Sequence, residues 1–93
     1  ISFRASPRKD KKFEVIVQDG EKFHTIHFGA KGMSDYTQHH DKKRRDLYLA
    51  RHKSRENWSD PLTAGFWARH VLWGDSISLA QNLAVARRLI RSL

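Results

Sequence analysis

The sequence predicts a small α+β domain in which one β-hairpin packs against about three α-helices. Two β-rich runs flank the dipeptide Asp19-Gly20, which is typical of a tight hairpin turn. Three later segments repeat apolar residues at helical spacing, and each begins with a candidate N-cap residue. The chain has 93 residues, of which 39% are hydrophobic, so we expect one compact core and a single domain.

The first twelve residues are predicted to form a basic N-terminal arm, with residues 13–93 as the single folded domain. Residues 1–12 are polar, include Pro7 and show no sustained hydrophobic period, so we expect them to become ordered only against a partner. The stretch from Ile1 to Lys9 carries two arginines, one lysine and two serines but no acid. Such a composition would suit the flank of a removed mitochondrial transit peptide.

The hairpin turn is assigned to Asp19 and Gly20, because a two-residue type I′ turn needs positive φ at both central positions. This register would place Val15 opposite His24. A two-stranded hairpin is marginal in water, so helices must cover one of its faces. Alternation along the strands predicts that the covered face carries Phe13, Val15, Val17, Ile26 and Phe28.

Three helices are predicted after a loop over residues 29–40. The first begins at the N-cap Asp41 and ends near residues 53–56. The second has Asp60 as its cap and Gly74 just past its last turn, and the third has Ser76 as its cap. The helix residues expected to cover the hairpin are Leu62, Phe66, Trp73, Leu83 and Ile90.

The charge is strongly positive, with 18 Lys and Arg against 10 Asp and Glu and a formal net charge of +8. Such a potential favours nucleic acid, acidic proteins or anionic lipid. No apolar run approaches the roughly 20 residues needed to cross a bilayer, so we expect no membrane partner. Seven of the basic residues lie between Lys42 and Arg55, where Asp46 is the one acid, and we call this stretch the basic segment.

The basic segment predicts contact with phosphates, because helical spacing spreads its cations widely and leaves no narrow edge for reading bases. Two alternatives stay open: a charged face that contacts only solvent, and contact with an acidic protein. The candidate polyanion-binding residues are Arg4, Arg8, Lys9, Lys11, Lys12, Lys31, Lys42, Lys43, Arg44, Arg45, Arg51, Lys53 and Arg55.

Aromatic side chains near the basic segment could form a stacking platform for unpaired bases together with Arg51. Alternatively they close the core, and Arg51 bonds a helix end or Asp35. Contact with neighbouring protein subunits is a further possibility, because three tryptophans in a chain of this length could supply an apolar patch. The candidates for stacking or protein contact are Tyr48, His52, Trp58 and Trp67.

Reactive chemistry has little support in the sequence. The chain has no cysteine, which excludes disulfides, thiolate metal sites and cysteine nucleophiles. Its six histidines lack metal-ligand spacing, and no carboxylate is placed by sequence to orient His52 or His70. We therefore predict no catalytic residue, no metal, no cofactor and no small-molecule substrate. A histidine-dependent hydrolase or nuclease is kept as a third hypothesis.

Short motifs occur in order along the chain: Phe28 to Gly32 with Ser34 to Tyr36, Tyr48 with Arg51-His52, Asn57-Trp58, Thr63 to Trp67, and Leu72-Trp73. In these motifs the chain resembles a small, functionally uncharacterised family encoded by large DNA viruses of algae and amoebae and by some phages. The resemblance covers nearly the whole domain. It implies a shared fold and a component of a virus-type particle or another large assembly, with no established catalysis or cofactor.

The sequence thus predicts a non-catalytic basic structural or accessory protein of a large nucleoprotein assembly. It would contact nucleic-acid phosphates without sequence specificity, in a virion or in an organellar, ribosome-like particle of the mitochondrial or organellar matrix. The alternative is a protein-protein adaptor or minor structural subunit of a capsid or organellar complex that makes no nucleic-acid contact.

Overall fold

The computed structural model describes residues 2–92 and contains one antiparallel sheet and a set of helices. This arrangement confirms the predicted α+β class and its hairpin. In chain order the elements are β1 (Ser2–Ala5), β2 (Lys11–Asp19), β3 (Lys22–Ala30), α1 (Tyr36–His39), α2 (Lys42–His52), α3 (Ala64–Trp67), a π-helical segment (Ala68–Leu72) and α4 (Leu79–Arg91).

Strand β1 replaces part of the arm that was predicted for residues 1–12. It pairs antiparallel with β2, which makes the sheet three-stranded in the order β1-β2-β3. The Phe3 ring stacks on Phe13 with 5.0 Å between centroids, on the face that meets the core. On the other face, Arg4 forms an ion pair with the buried carboxylate of Glu14. An apolar and an ionic contact therefore order this strand without any partner.

The hairpin turn lies one residue later than predicted. Asp19 pairs with Lys22, so Gly20 and Glu21 are the two turn residues. Gly20 has a φ of 62°, whereas Glu21 is not among the described residues with positive φ. Glycine with positive φ at the first central position is the requirement of a type II′ turn, which matches the right-handed twist of the strands.

The shifted turn changes the pairing of the strands without changing their faces. Val15 lies opposite Ile26, where the predicted register had placed His24. Because every partner moves by two positions and side chains alternate with period two, the same side chains stay on the core face. Phe13 on that face is half-buried, and the buried members are Val15, Val17, Ile26 and Phe28.

The core lies between this face of the sheet and the helices that follow residue 63. Leu62 was predicted to cover the hairpin, but it is exposed because α3 begins at Ala64 and leaves Leu62 in the preceding turn. Leu83 and Ile90 pack as predicted at the edge of the core. The buried helical and post-helical residues are Phe66, Trp67, Val71, Leu72, Trp73 and Ala86.

Helix α2 begins as predicted, because the Asp41 carboxylate accepts hydrogen bonds from the first free backbone N–H groups of the helix. The two later caps differ from the prediction. Thr63 caps α3 in place of Asp60, and Ser78 caps α4 in place of Ser76. Asp60 and Ser76 instead accept hydrogen bonds from the backbone two residues on, which forms a turn before each helix.

The π-helical segment Ala68–Leu72 ends in a tight junction, which we define as residues 73–76. The N–H of Trp73 donates to the carbonyl of Ala68, five residues back. Gly74 follows, and a Cβ atom there would lie 2.4 Å from the carbonyl oxygen of His70. Only glycine can therefore occupy this position without moving backbone.

Asn82 of α4 closes the junction from the other side, with its amide almost fully buried. Its Nδ2 donates to the carbonyls of Val71 at 2.9 Å and Ser76 at 2.7 Å. Its Oδ1 accepts from the N–H of Ser76 at 3.1 Å. Both ends of the amide are thus satisfied, and the bonds fix α4 against the end of the π-helical segment.

The role of β1 can be tested with a matched pair of phenylalanine substitutions. Phe3→Ala is expected to lower the free energy of unfolding by about 2 kcal/mol, because it removes a half-buried ring from the aromatic cluster. Phe23→Ala removes a ring that is 68% exposed and should cost less than about 0.5 kcal/mol. Urea denaturation measures both values. Equal, small effects would contradict the assignment of β1 to the folded domain.

Candidate nucleic-acid interface

The helix that carries most of the basic segment lies on the surface, since α2 has no buried residue. Its inward side is held by Arg45, whose side chain is only 11% exposed. The Arg45 guanidinium donates to the Gly74 carbonyl at 2.7 Å and to the Asp75 carboxylate at 2.6 Å. It also lies over the Tyr36 ring. The donors of Arg45 therefore serve the junction, which leaves this predicted polyanion-binding residue little capacity to contact a ligand.

An aromatic stack holds the same side of α2. The Tyr48 ring lies between Trp73 and His52, with 4.1 Å between the centroids on each side. Burial raises the pKa of Tyr48 to about 12. Because both faces of the Tyr48 ring are covered, it cannot stack on a base, and the packing alternative considered for this residue is the one observed.

The other two stacking candidates also make contacts inside the molecule. Trp67 is fully buried and its Nε1 donates to the Pro61 carbonyl at 2.7 Å, so its prediction as a protein-contact residue is wrong. Trp58 is half-buried, with its Nε1 bonded to Glu56 at 3.0 Å. Glu56 also lies 3.2 Å from Nδ1 of His52. This histidine-carboxylate pair was not predicted from the sequence, although His52 and Glu56 are four residues apart.

Lys12 is another predicted polyanion-binding residue that serves the fold. Its Nζ lies 2.7 Å from the buried Asp35 carboxylate and 2.7 Å from the Gln38 side chain. Asp35 in turn caps α1, so Lys12 joins the sheet to this helix. The proposed partner of Asp35 was Arg51, and the structure has Lys12 in that place. With its side chain 13% exposed, Lys12 has little capacity to contact a ligand.

Three further cations of the predicted set have an acidic partner but stay accessible. Arg4, Arg8 and Lys42 pair with Glu14, Asp10 and Asp46, respectively, and each of these cations is more than half exposed. The hydrogen bond from Arg8 lowers the pKa of Asp10. The pairs of Arg8 and Lys42 are exposed on both sides and weak, about 0–1 kcal/mol, so a polyanion can compete for these two cations. The pair of Arg4 is costlier to break, because its partner Glu14 is buried.

The remaining predicted cations have no acidic side chain within ion-pair distance among residues 2–92. All of them are exposed except Lys11, which is half-buried. Three arginines at the end of α4 share this property, and they also lie where cations interact favourably with the helix dipole. The predicted set consists of Lys9, Lys11, Lys31, Lys43, Arg44, Arg51, Lys53 and Arg55, and the added arginines are Arg87, Arg88 and Arg91.

A cleft of about 680 Å³ opens along one side of α2. Its floor is apolar and built from small or flat side chains, while its rim carries cations of the basic segment and of β2. Met33 and Leu47 stand at its edge with 67% and 52% of their surface exposed. The floor residues are Phe28, Gly29, Ala64, Gly65, Ala68 and Leu72, and the unpaired rim cations are Lys11, Arg44 and Arg51.

The smooth floor depends on residues without long side chains. Gly29 has a φ of 79°, and a Cβ atom there would lie 2.8 Å from the Leu72 side chain. Ala64, Gly65 and Ala68 also line the cleft, and Gly65 packs against the Glu56 side chain, which a Cβ atom there would approach to 3.1 Å. The sheet and the helical segments therefore meet closely where Gly29 lies against Leu72.

The cleft collects residues from widely separated parts of the sequence. Its lining includes members of most of the motifs that carry the viral-type resemblance, from the glycine-rich turn after β3 to the end of the π-helical segment. Sequence reasoning missed the cleft because no single segment forms it. The motif residues in its wall are Phe28, Gly29, Ala30, Ser34, Asp35, Tyr48, Arg51, His52, Ala64, Gly65, Leu72 and Trp73.

Comparison with known protein families gives a match. A model for a family of unknown function, DUF5754, matches residues 1–52, which span the sheet, α1 and α2. The chain belongs to this family. No curated protein and no solved structure is significantly similar to it. The match carries no information about viral or phage hosts, so that resemblance stays a prediction.

Metal binding and membrane insertion are two other roles on which the described part of the chain gives information. Between residues 2 and 92, no cluster of three or more His, Cys, Asp or Glu side chains is arranged to hold a metal ion. Over the same residues, the helices are too short or too polar to traverse a bilayer.

Adjacent arginines of α2 should separate structural from binding roles. Arg45→Gln is expected to lower the free energy of unfolding by about 2 kcal/mol, because it removes charged hydrogen bonds to the junction. Arg44→Gln should change it by less than about 0.5 kcal/mol, because Arg44 is exposed and has no acidic partner among the described residues. Thermal melts of both variants test this, and a greater loss for Arg44→Gln would contradict the assignment.

Stability should fall in mild acid because of His70. Burial lowers the pKa of His70, whose Nε2 bonds the Trp58 carbonyl. The unfolded chain, with a histidine pKa of about 6.5, therefore binds more protons than the folded chain just below that pH. This stability is complete above about pH 6.5 and is lost as the pH falls through the folded-state pKa.

His70→Gln is the matched variant for this effect, since a glutamine amide can donate to the Trp58 carbonyl without titrating. Melting temperatures of both proteins from about pH 7.5 to about pH 5 should show a smaller decrease in the variant. An identical decrease would mean that His70 does not contribute.

Proposed function

We propose that this protein binds the phosphate backbone of nucleic acid without sequence specificity, as a non-catalytic accessory component of a large nucleoprotein assembly. The observation that carries the proposal is the exposed, unneutralised charge of the basic segment. Lys42 and Arg45 pair with acids inside the molecule. The cations that have no acidic partner among the described residues are Lys43, Arg44, Arg51, Lys53 and Arg55.

The position of α2 supports a binding role for this charge. The helix buries no residue, so its outward cations are not a by-product of core formation. Like charges on one short helix repel one another and oppose folding unless a partner neutralises them. A polyanion would remove this repulsion and release its own counterions at the same time.

The distribution of the cations supports contact with phosphates over base reading. Lys43 and Lys53 are exposed and do not line the cleft, while Arg44 and Arg51 line it. Phosphate contacts position a protein on nucleic acid, whereas base contacts specify sequence. We propose that the assembly is a virion or an organellar, ribosome-like particle.

The protein-protein adaptor is retained as a second candidate because large apolar side chains are exposed. Phe23 and Met33 are each about two-thirds exposed, and Leu47 is about half exposed. Exposed apolar groups of this size occur at contacts between subunits. An adaptor that touches no nucleic acid would retain its partner at high salt, because apolar contacts are not screened by ions.

Salt dependence separates the two candidates. If the five free cations contact phosphates, a double-logarithmic plot of duplex DNA affinity against salt concentration should have a slope of about −4.5. The double variant Lys43→Gln, Lys53→Gln should reduce the magnitude of that slope by about 2. Fluorescence anisotropy with a labelled random-sequence duplex measures both values.

Lys22→Gln is the matched control, because Lys22 is exposed at the hairpin end and outside the basic segment. It should leave the slope nearly unchanged. Absence of binding at low salt would overturn the phosphate proposal and favour the adaptor. Degradation of the DNA that disappears on His52→Ala would instead favour the nuclease hypothesis.

A further inference from the structure

We infer that the cleft beside α2 takes an unpaired nucleotide, so that the protein prefers single-stranded nucleic acid over a duplex. This inference rests on the proposed function, because it names the kind of nucleic acid that the basic segment recognises. It adds a binding pocket to a surface that otherwise contacts only phosphates.

The size and lining of the cleft suit a base. Its volume of about 680 Å³ lies within the range of roughly 300–1,000 Å³ that is usual for small-molecule sites. Phe28 and Leu72 lie almost fully buried beneath the cleft, and the small residues Ala64 and Ala68 line it. A base presents a flat π-face of any sequence, and burying that face against apolar groups is favourable.

Two apolar side chains at the edge of the cleft are exposed and do not pack in the core. Met33 is 67% exposed and Leu47 is 52% exposed, and both line the cleft. Exposed side chains of this type would lose contact with water if a base lay beneath them. The cleft therefore offers apolar contact on its floor and at its edge.

The rim supplies positive charge beside this apolar interior. Arg44 and Arg51 lie seven residues apart on the same side of α2, about 10 Å along the helix axis, with Leu47 between them. Each guanidinium presents a fork of donors that fits a phosphate, and neither has an acidic partner among residues 2–92. Two phosphates flanking one inserted base could each meet an arginine.

The acids of the cleft do not cancel this charge. Asp35 is neutralised by Lys12, and Glu56 accepts hydrogen bonds from His52 and Trp58. Glu56 thus leaves at most one negative charge against three unpaired rim cations. The cleft is electrostatically complementary to an anion that carries an apolar body, which is the chemistry of a nucleotide.

A single strand can contact more of the exposed cations than an acidic peptide bound in the cleft would. A peptide bound in the cleft could use Arg44 and Arg51, but the outward Lys43 and Lys53 would then have no ligand. A strand that inserts one base in the cleft continues along the protein in both directions, so its neighbouring phosphates can reach these lysines. A duplex keeps its bases stacked and paired, and it can reach only the rim.

The test compares anisotropy titrations of an oligo(dT) strand and a blunt duplex of equal length. Wild-type protein should bind the single strand at least about fivefold more tightly, since burying one base against apolar groups is expected to contribute on the order of 1 kcal/mol or more. Ala68→Leu, which fills the floor, and Leu47→Ser, which removes the apolar edge at an exposed position, should each abolish most of this preference. Duplex affinity should stay unchanged in both variants.

Ala50→Leu on the exposed outer side of α2 is the matched control and should keep the preference. Thermal melts establish that each variant is folded, and Leu47→Ser tests the proposal even if Ala68→Leu does not fold. Equal affinity for single strand and duplex would overturn this inference while leaving the proposed function intact. Binding of neither would overturn the proposed function. Competition by polyglutamate as effective as that by oligo(dT) would assign the cleft to acidic peptides and overturn the inference.

Discussion

The attachment of Arg45 to the junction is the contact on which the position of α2 depends. The hydrophobic contribution of α2 to the core is small, because no residue of this helix is fully buried and the apolar side chains that it packs against the core, Tyr48 and Leu49, are half-buried. Arg45 supplies charged hydrogen bonds to Gly74 and Asp75, and the Tyr48 ring adds a stack on Trp73. These contacts hold the inward side of α2 and leave its other sides free for cations.

The junction can receive Arg45 because its own geometry is fixed from several directions. The π-helical turn ends at Trp73, Gly74 allows backbone to approach backbone, and Asn82 saturates the polar groups between this turn and α4. Arg69 also donates to the Trp73 carbonyl, and burial lowers the pKa of its guanidinium. π-Helical turns are often found at functional sites. Here the turn forms part of the cleft floor and aims carbonyl groups at α2.

Elements governed by local rules could be predicted from the sequence. Asp41 was found as a cap because the cap acts on residues two and three positions away. The core face of the hairpin was predicted correctly although the position of the turn was not. Side chains alternate between the two faces of a strand, so a register shift of two residues leaves the same side chains on the core face. Strand β1 was missed because its four residues are too short to show a period, and its stabilising residues Phe13 and Glu14 lie far along the chain.

The candidate site was less predictable, because residue type alone does not tell which side chains face inward. Arg44 and Arg45 are identical neighbours, yet one lies at the rim of a cleft and the other bonds the junction thirty residues away. Lys12 was likewise predicted to bind a polyanion, but it forms an ion pair with Asp35, and only the tertiary fold brings these two residues together. The basic segment was visible as a run of charge, whereas the cleft needed the sheet, α2 and α3 to be assembled.

Residue-resolved amide hydrogen exchange of the intact chain tests the central claim most directly. If Arg45 and Tyr48 anchor α2, the amides from Asp46 to His52 should be protected well above the level of an isolated helix of this length, although no α2 residue is fully buried. Exchange of these amides at the rate of an unstructured segment, with the sheet still protected, would show that α2 is not held at the junction and would contradict the account.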